Sequence, residues 1–309
     1  MSDDSGALDY PRRRYGMDHD RYQWSMLSER PPVRWPADAP LALWVNVCLQ
    51  FFPLNQQGKP FPPPGGMTMP YPDLRHYTLR DYGNRVGLFR ILRALDRFRV
   101  RPTFAVNSRL LERNPYLLGL LRERGDELLC HGWHMDAPHY GGEDPVAERE
   151  RVQRSLGVLR ERSGQPVAGW LSPGRSESAA TPELLAAEGV RYFCDWVNDD
   201  MPYRFRTDNG PLWAMPLSNE LDDRFILVNN LHSEASYEEQ LCDACDFLHA
   251  EGRRQGGRIL GLNIHPWLLG QPHRIKRLEN VLAHVMSKGD VWAAPAGEIL
   301  DRVAAQGTD

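Results

Sequence analysis

Three histidines and an aspartate crowd into the nine residues from His131 to His139, inside the stretch ELLCHGWHMDAPHY that begins at Glu127. Imidazoles and a carboxylate at this density can bind a divalent cation or move protons near neutral pH. His131 and His134 are three apart, so a catalytic metal would need a turn of backbone between them and a third ligand, with Asp136 or His139 the nearest donors. The other obvious donor, a carboxylate closing the first apolar segment, is absent, because Gln50-Phe51-Phe52 stands there. Zinc or another divalent ion and a metal-free site are both open readings.

His265 lies in NIHPW, where Pro266 keeps the histidine extended at the tip of the apolar run ILGLNI, a suitable place for a general acid or base. Arg175, in the turn SPGRS, offers a guanidinium to a carboxylate or a developing oxyanion. An ion pair from Arg175 to Asp195, Asp199 or Asp200 would keep that acid ionised, and Asp195 would then orient the histidine. The candidate catalytic set is His265, Asp195, Arg175 and His131. Gln50 and Asn107 are candidate substrate contacts, and Trp133, Trp196 and Trp267, each within two residues of a candidate, could form flat pocket walls.

These residues need elements that bring them together. Leu41 to Leu49 is apolar nearly throughout, as a strand buried on both faces should be. Strand candidates follow at TFAVN, at Glu127 to Cys130, VAGWL, VRYFC, Leu212 to Pro216, FILVNN (225 to 230), ILGLNI and DVWAA. Helical patterns lie between them at 81–98, 114–124, 144–163, 181–188, 236–255 and 272–288, with a last one from Pro295. Strand alternating with helix about seven times, without a Gly-rich nucleotide fingerprint, predicts an α/β fold of the distorted (β/α)7-barrel type. Gln50, Asn107, His131, Ser172 to Arg175, Asp195 and His265 follow successive strands, and a barrel would gather them at one mouth.

Two segments fall outside that alternation. Residues 1–40 have no clean period and several prolines, and read as an extended arm over a single domain at 41–309 or over a neighbouring subunit, which makes a homo-oligomer the expected assembly. Pro53 to Pro72 is too rich in proline and glycine for helix or central strand, and its aromatic and methionine residues suit a lid or pocket wall.

The chain has 309 residues, 41% hydrophobic and 25% charged, with a net charge of −4, so it carries no basic footprint for nucleic acid or anionic lipid. No apolar run is long enough to span a membrane, and MDHDRYQ stands where an export signal after Arg12-Arg13-Arg14 would need an apolar region. The five cysteines are an odd set, three of them within apolar runs, which suits a reducing cytoplasm. Cys242 and Cys245 form a CxxC on an amphipathic helix with no second pair to complete a zinc site. The expected partner is a small-molecule substrate.

The stretches CHGWHMD, GWLSPGRSESAATPELLAAEGVRYFCDWVNDDMPY and LGLNIHPWLLGQPHRI together resemble the polysaccharide deacetylase superfamily with its NodB-type fold, and within it the allantoinase-like branch. The resemblance runs from about residue 40 to 305 and implies a distorted barrel of about seven strands. It also implies hydrolysis of an amide C–N bond and, in metal-dependent members, a divalent ion held by an aspartate and two histidines. By position, His131 matches the first metal histidine, Arg175 the third-motif arginine, Asp195 the fourth-motif acid region and His265 the last-motif histidine. The first-motif acids are replaced at Gln50 to Phe52, and the usual second histidine is Met135, with His134 one position early. These departures imply a hydrolase of a small amide, imide or ureide, with His265 moving protons and with His131 and His134 either holding a metal or polarising the carbonyl. A metal-dependent deacetylase of an N-acetylated sugar and a binding protein that has lost its chemistry are the alternatives.

Overall fold

The computed structural model describes residues 19–57 and 73–307. The expected lid therefore lies outside the described residues beyond Gln57, as does the arm before His19. Strand β1 (Leu41–Leu49) is buried along its whole length. Its alternation sorts the side chains: Leu41, Leu43, Val45, Val47 and Leu49 pack into the core between sheet and helices, whereas Ala42, Trp44 and Cys48 face the barrel interior. Asn46 and Gln50 continue the inward row, so this face turns from apolar at the floor to polar at the mouth.

The sheet continues through β2 (Thr103–Val106), β3 (Glu127–Cys130), β4 (Gly169–Trp170), β5 (Tyr192–Phe193), β6 (Tyr203–Phe205), β7 (Leu212–Ala214), β8 (Arg258–Ile264) and β9 (Val291–Ala293). Its order is β6-β7-β5-β4-β3-β2-β1-β8, all parallel except the β6/β7 pair. The main path thus holds seven parallel strands, as the alternation predicts. β9 pairs with the first three residues of β1, and β2 with its last four. Helices fill the connections and include Leu88–Phe98, Pro115–Arg124, Pro145–Ser163, Glu234–Gln255, Ile275–Ser287 and Ala296–Ala305. Among the described residues none is long and apolar enough to cross a membrane.

β1 and β8 pair over seven residues, with Trp44 opposite Gly261 and Asn46 opposite Asn263. Gly261 makes room for the buried Trp44 indole; a Cβ there would lie 3.2 Å from Leu217 Cδ1 and 3.5 Å from the indole. That large-small pair plugs the barrel below the mouth.

β6 and β8 end the path without pairing to each other. The chain after β7 covers this gap, and here the expected strand FILVNN is instead a π-helical turn, Phe225–Asn229. A short apolar run fits either state, and Asp222 decides for the turn by accepting the backbone N–H groups of Arg224 (2.8 Å) and Phe225 (3.3 Å) with one oxygen.

The described part of the arm packs on this chain. Trp35 is buried and donates to the Arg258 carbonyl, and Tyr22 packs edge-on against Trp196. All five thiols are free, with Cys245 buried and Cys242 half-buried on Glu234–Gln255.

Candidate active site

The strand ends converge on a cavity of about 270 Å³ whose walls include Cys48, Gln50, His131, Ser172, Arg175 and His265. Asn219, Asp222, Arg224, Asn229 and Asn263 complete its polar lining. Of the predicted catalytic set, His131, Arg175 and His265 line it.

His265 is held by Asp223, not by Asp195. Its Nδ1 is 2.6 Å from Asp223 Oδ1 and its backbone N–H donates to Oδ2 at 2.8 Å. Burial alone would lower the imidazolium, but the Asp223 carboxylate beside it carries the histidine up to about 10. Burial likewise holds the Asp223 carboxyl above its ordinary value, even with the histidine drawing it down. Both groups are inaccessible to water outside the cavity, and the arrangement we assign is a carboxylate that fixes the ring and strengthens its hold on a proton.

His131 is the opposite kind of histidine. Its Nδ1 donates to the Leu171 carbonyl at 2.7 Å, which leaves Nε2 as an acceptor facing the Gln50 amide at 3.3 Å. Burial, seconded by the charges of His265 and Arg175, pushes it down to about 4, so it stays neutral. An acceptor nitrogen cannot polarise a carbonyl by donation; it can receive a substrate N–H or a water proton. Trp267 donates to Gln50 Oε1 at 3.3 Å, which points the Gln50 amide group at His131.

Arg175 has φ of +56°, a left-handed conformation uncommon for a side chain of this size, following Gly174 at +69°. The turn sends its guanidinium to the Leu217 carbonyl, Asn219 Oδ1 and Asp222 Oδ2, the last at 3.3 Å. Asp222, and none of Asp195, Asp199 or Asp200, is its ion-pair partner.

Asp195 lies behind the wall, where Oδ1 accepts the Ser172 backbone N–H at 2.8 Å. Burial and the nearby Asp195 charge push the Glu177 carboxyl up to about 9. The predicted orienting acid therefore acts on the Ser172 turn.

Asn107 is fully buried and clamps two strand ends, accepting from the Phe51 N–H at 2.8 Å and donating to the His131 carbonyl, so it does not reach substrate. Trp133 lies under Arg154, 3.9 Å from its ring centroid, and Trp196 donates to Glu177 at 2.8 Å; neither lines the cavity. Trp267 is also behind the wall, with the Arg80 guanidinium 3.6 Å over its ring, and acts through Gln50.

A divalent ion of the superfamily's kind does not fit this donor set. His134 does not line the cavity, and its Nδ1 accepts the Asp136 N–H at 3.2 Å. No carboxylate joins His131 in a metal-capable group among the described residues, and the position after the first strand that would supply one is Gln50. Asp222, Asp223 and His265 do form such a group, but each carboxylate oxygen accepts an N–H, and Arg175 supplies cationic charge there already. The substitute donor His139 sits elsewhere, buried against Glu148 at 3.2 Å.

Asp222 and Asp223 are the functional residues that sequence reasoning missed. Their only local signal is an acidic doublet ahead of an apolar run, where a first-turn cap is expected.

The family model "Polysaccharide deacetylase" matches residues 77–193. An inferred polysaccharide deacetylase of Schizosaccharomyces pombe is 26% identical over 254 residues, covering 75% of this chain and 78% of its own. The solved PuuE allantoinase superposes with a TM-score of 0.81 at 24% identity, covering 91% of this chain and 96% of its own. An inferred polysaccharide deacetylase from Pseudomonas aeruginosa gives 0.80 at 25%, covering 90% and 96%. By these matches the chain is similar to polysaccharide deacetylases and has the NodB-type fold.

Proposed function

We propose that this protein hydrolyses a non-peptide C–N bond in a small amide, imide or ureide, in the manner of the allantoinase-like branch. The observation that carries the reading is the buried His265–Asp223 pair opening into a cavity of about 270 Å³. A cavity this small suits a compact substrate better than a sugar chain. Similarity to polysaccharide deacetylases supports amide C–N hydrolysis as the class of reaction.

His265, held protonated beside Asp223, delivers a proton to the departing nitrogen, which must leave as a protonated amine, and regains one from the attacking nucleophile. The His131 Nε2 lone pair receives a substrate N–H, and Asn219 and Asn229 offer amide groups that complement an amide or ureide. Arg175 supplies positive charge for the oxygen of the tetrahedral intermediate. The bound substrate needs no cation from outside for any of these steps.

The test is a panel of linear and cyclic ureides, imides, primary amides and N-acetylated sugars, scored for C–N cleavage by ammonia, amine or acetate release. Turnover of a ureide, imide or amide that His265→Ala abolishes is the expected result. Turnover confined to N-acetylated sugars, or an unchanged rate in His265→Ala, overturns the assignment.

A further inference from the structure

Cys48 is the one thiol that lines the cavity, among the described residues, and its neighbours are those of a nucleophile. On the paired strands β1 and β8, Val47 is opposite Ile264, and the next residues are Cys48 and His265. Adjacent parallel strands lie about 4.8 Å apart, so the two side chains stand side by side at the mouth. His265 Nδ1 is committed to Asp223, which leaves Nε2 for exchange.

The sulfur has two further polar neighbours. Asn46 Nδ2 points at it from 3.5 Å, and Cys48 in turn reaches Asn263 Oδ1 at 3.2 Å. The other two strand thiols are unlike it: Cys130 is packed in the core against Ser108 and Cys194 lies within the apolar interior, and burial pushes both up. Thiol, imidazole and carboxylate in that sequence reproduce the nucleophile, base and orienting group of covalent acyl-transfer enzymes.

We infer that Cys48, His265 and Asp223 form a nucleophilic triad, and that the C–N bond is broken through a thioester on Cys48. The inference rests on the hydrolase reading above and names the nucleophile it leaves open. With the proton that Cys48 and His265 share resting on His265 Nε2, the Cys48 sulfur attacks the carbonyl carbon and the carbonyl π pair moves onto oxygen. Collapse of the tetrahedral adduct re-forms the carbonyl and breaks the C–N bond, with the nitrogen taking the proton from His265. Water then attacks the thioester carbon and gives a proton to His265. The second collapse breaks the C–S bond, releases the acid and returns the proton to sulfur. Water is the only co-reactant, and no atom of the thiol is consumed.

The experiment combines turnover of the same panel with alkylation by iodoacetamide, read as modified peptides by mass spectrometry. With a turned-over substrate, Cys48→Ser is expected to lose at least a thousandfold in kcat, and brief acid quenching to trap the acyl group on the Cys48 peptide. A Cys48→Ser rate within threefold of wild type, with the fold intact by circular dichroism, overturns the triad and leaves direct attack by water, so the hydrolase reading survives. If no panel member is turned over, that reading fails and the labelling decides alone. Alkylation of Cys48 that outpaces the half-buried Cys242 and slows at least tenfold in His265→Gln supports the triad. Labelling indifferent to His265 overturns it.

Discussion

Replacing Asp223 by Asn is the sharpest probe of the site, because it keeps the shape and an acceptor oxygen while removing the charge that sets the state of His265. With Asp223 present His265 is carried to about 10; without its largest raising partner, burial should pull the histidine well down. We expect kcat to fall by about 10²–10⁴, the range attributable to a positioned acid-base group. Stability changes too. A histidine whose folded pKa lies above its unfolded value stabilises the fold fully below about 6.5, and that contribution is lost as pH rises through about 10. Breaking a buried pair costs about 3–5 kcal/mol, and the neutral amide should bring the loss to the lower end of that range. The wild-type advantage should therefore be full at about pH 6.5 and shrink toward pH 10. Imidazole titration by NMR and urea denaturation at several pH values read both effects. An unchanged His265 titration in Asp223→Asn, or a stability gap that is flat from about pH 6.5 to 10, would refute the reasoning.

Other expectations follow from the same geometry. Glu177 keeps its proton in the folded chain up to about 9 but would release it near its ordinary 4.5 when unfolded, so its contribution to stability falls as pH rises between those values. Glu177→Gln should remove that slope and raise the urea midpoint at about pH 8 relative to about pH 5; an equal effect at both contradicts the raised Glu177 carboxyl. Gly261→Val places side-chain carbons against Leu217 and Trp44 and should cost about 1–3 kcal/mol, seen as a lower Tm, whereas unchanged stability would mean that the plug is loosely packed. Prolonged chelation of the active protein should leave its rate within about twofold, and activity lost to chelation and restored by zinc would overturn the donor-set argument.

The local part of this fold can be read from the chain. The row Ala42, Trp44, Cys48 against Leu41, Leu43, Val45 is visible as an apolar run, and of the polar residues after the strands Gln50, His131, Arg175 and His265 do reach one mouth, whereas Asn107 and Asp195 do not. What cannot be read is which side chain answers which. Asp223 meets His265 across 42 residues, and Leu171 fixes the His131 tautomer across 40, with no periodicity linking either pair. Asp195 and Asp223 are equally plausible acids by type; only the closing of the gap by residues 215–230 sends one to the histidine and the other to Ser172. The tryptophans mislead for a related reason, since closeness in sequence to a strand tip does not tell which side of the wall an indole takes.

The unpaired ends of the sheet have a consequence for ligand entry and for redesign. Between β7 and β8 the wall is stitched by side chains rather than by a backbone ladder: Asp222 to Asn263 and Asp223 to His265. The bonds that tune the histidine are the same bonds that fasten this seam. A ligand passing there would meet a zip made of the reactive groups, and its arrival could be felt by the dyad before any chemistry begins. Because the acids ride on a turn outside the ladder, that segment can be re-cut without disturbing a single strand pairing, which makes it a replaceable keyway in the barrel wall.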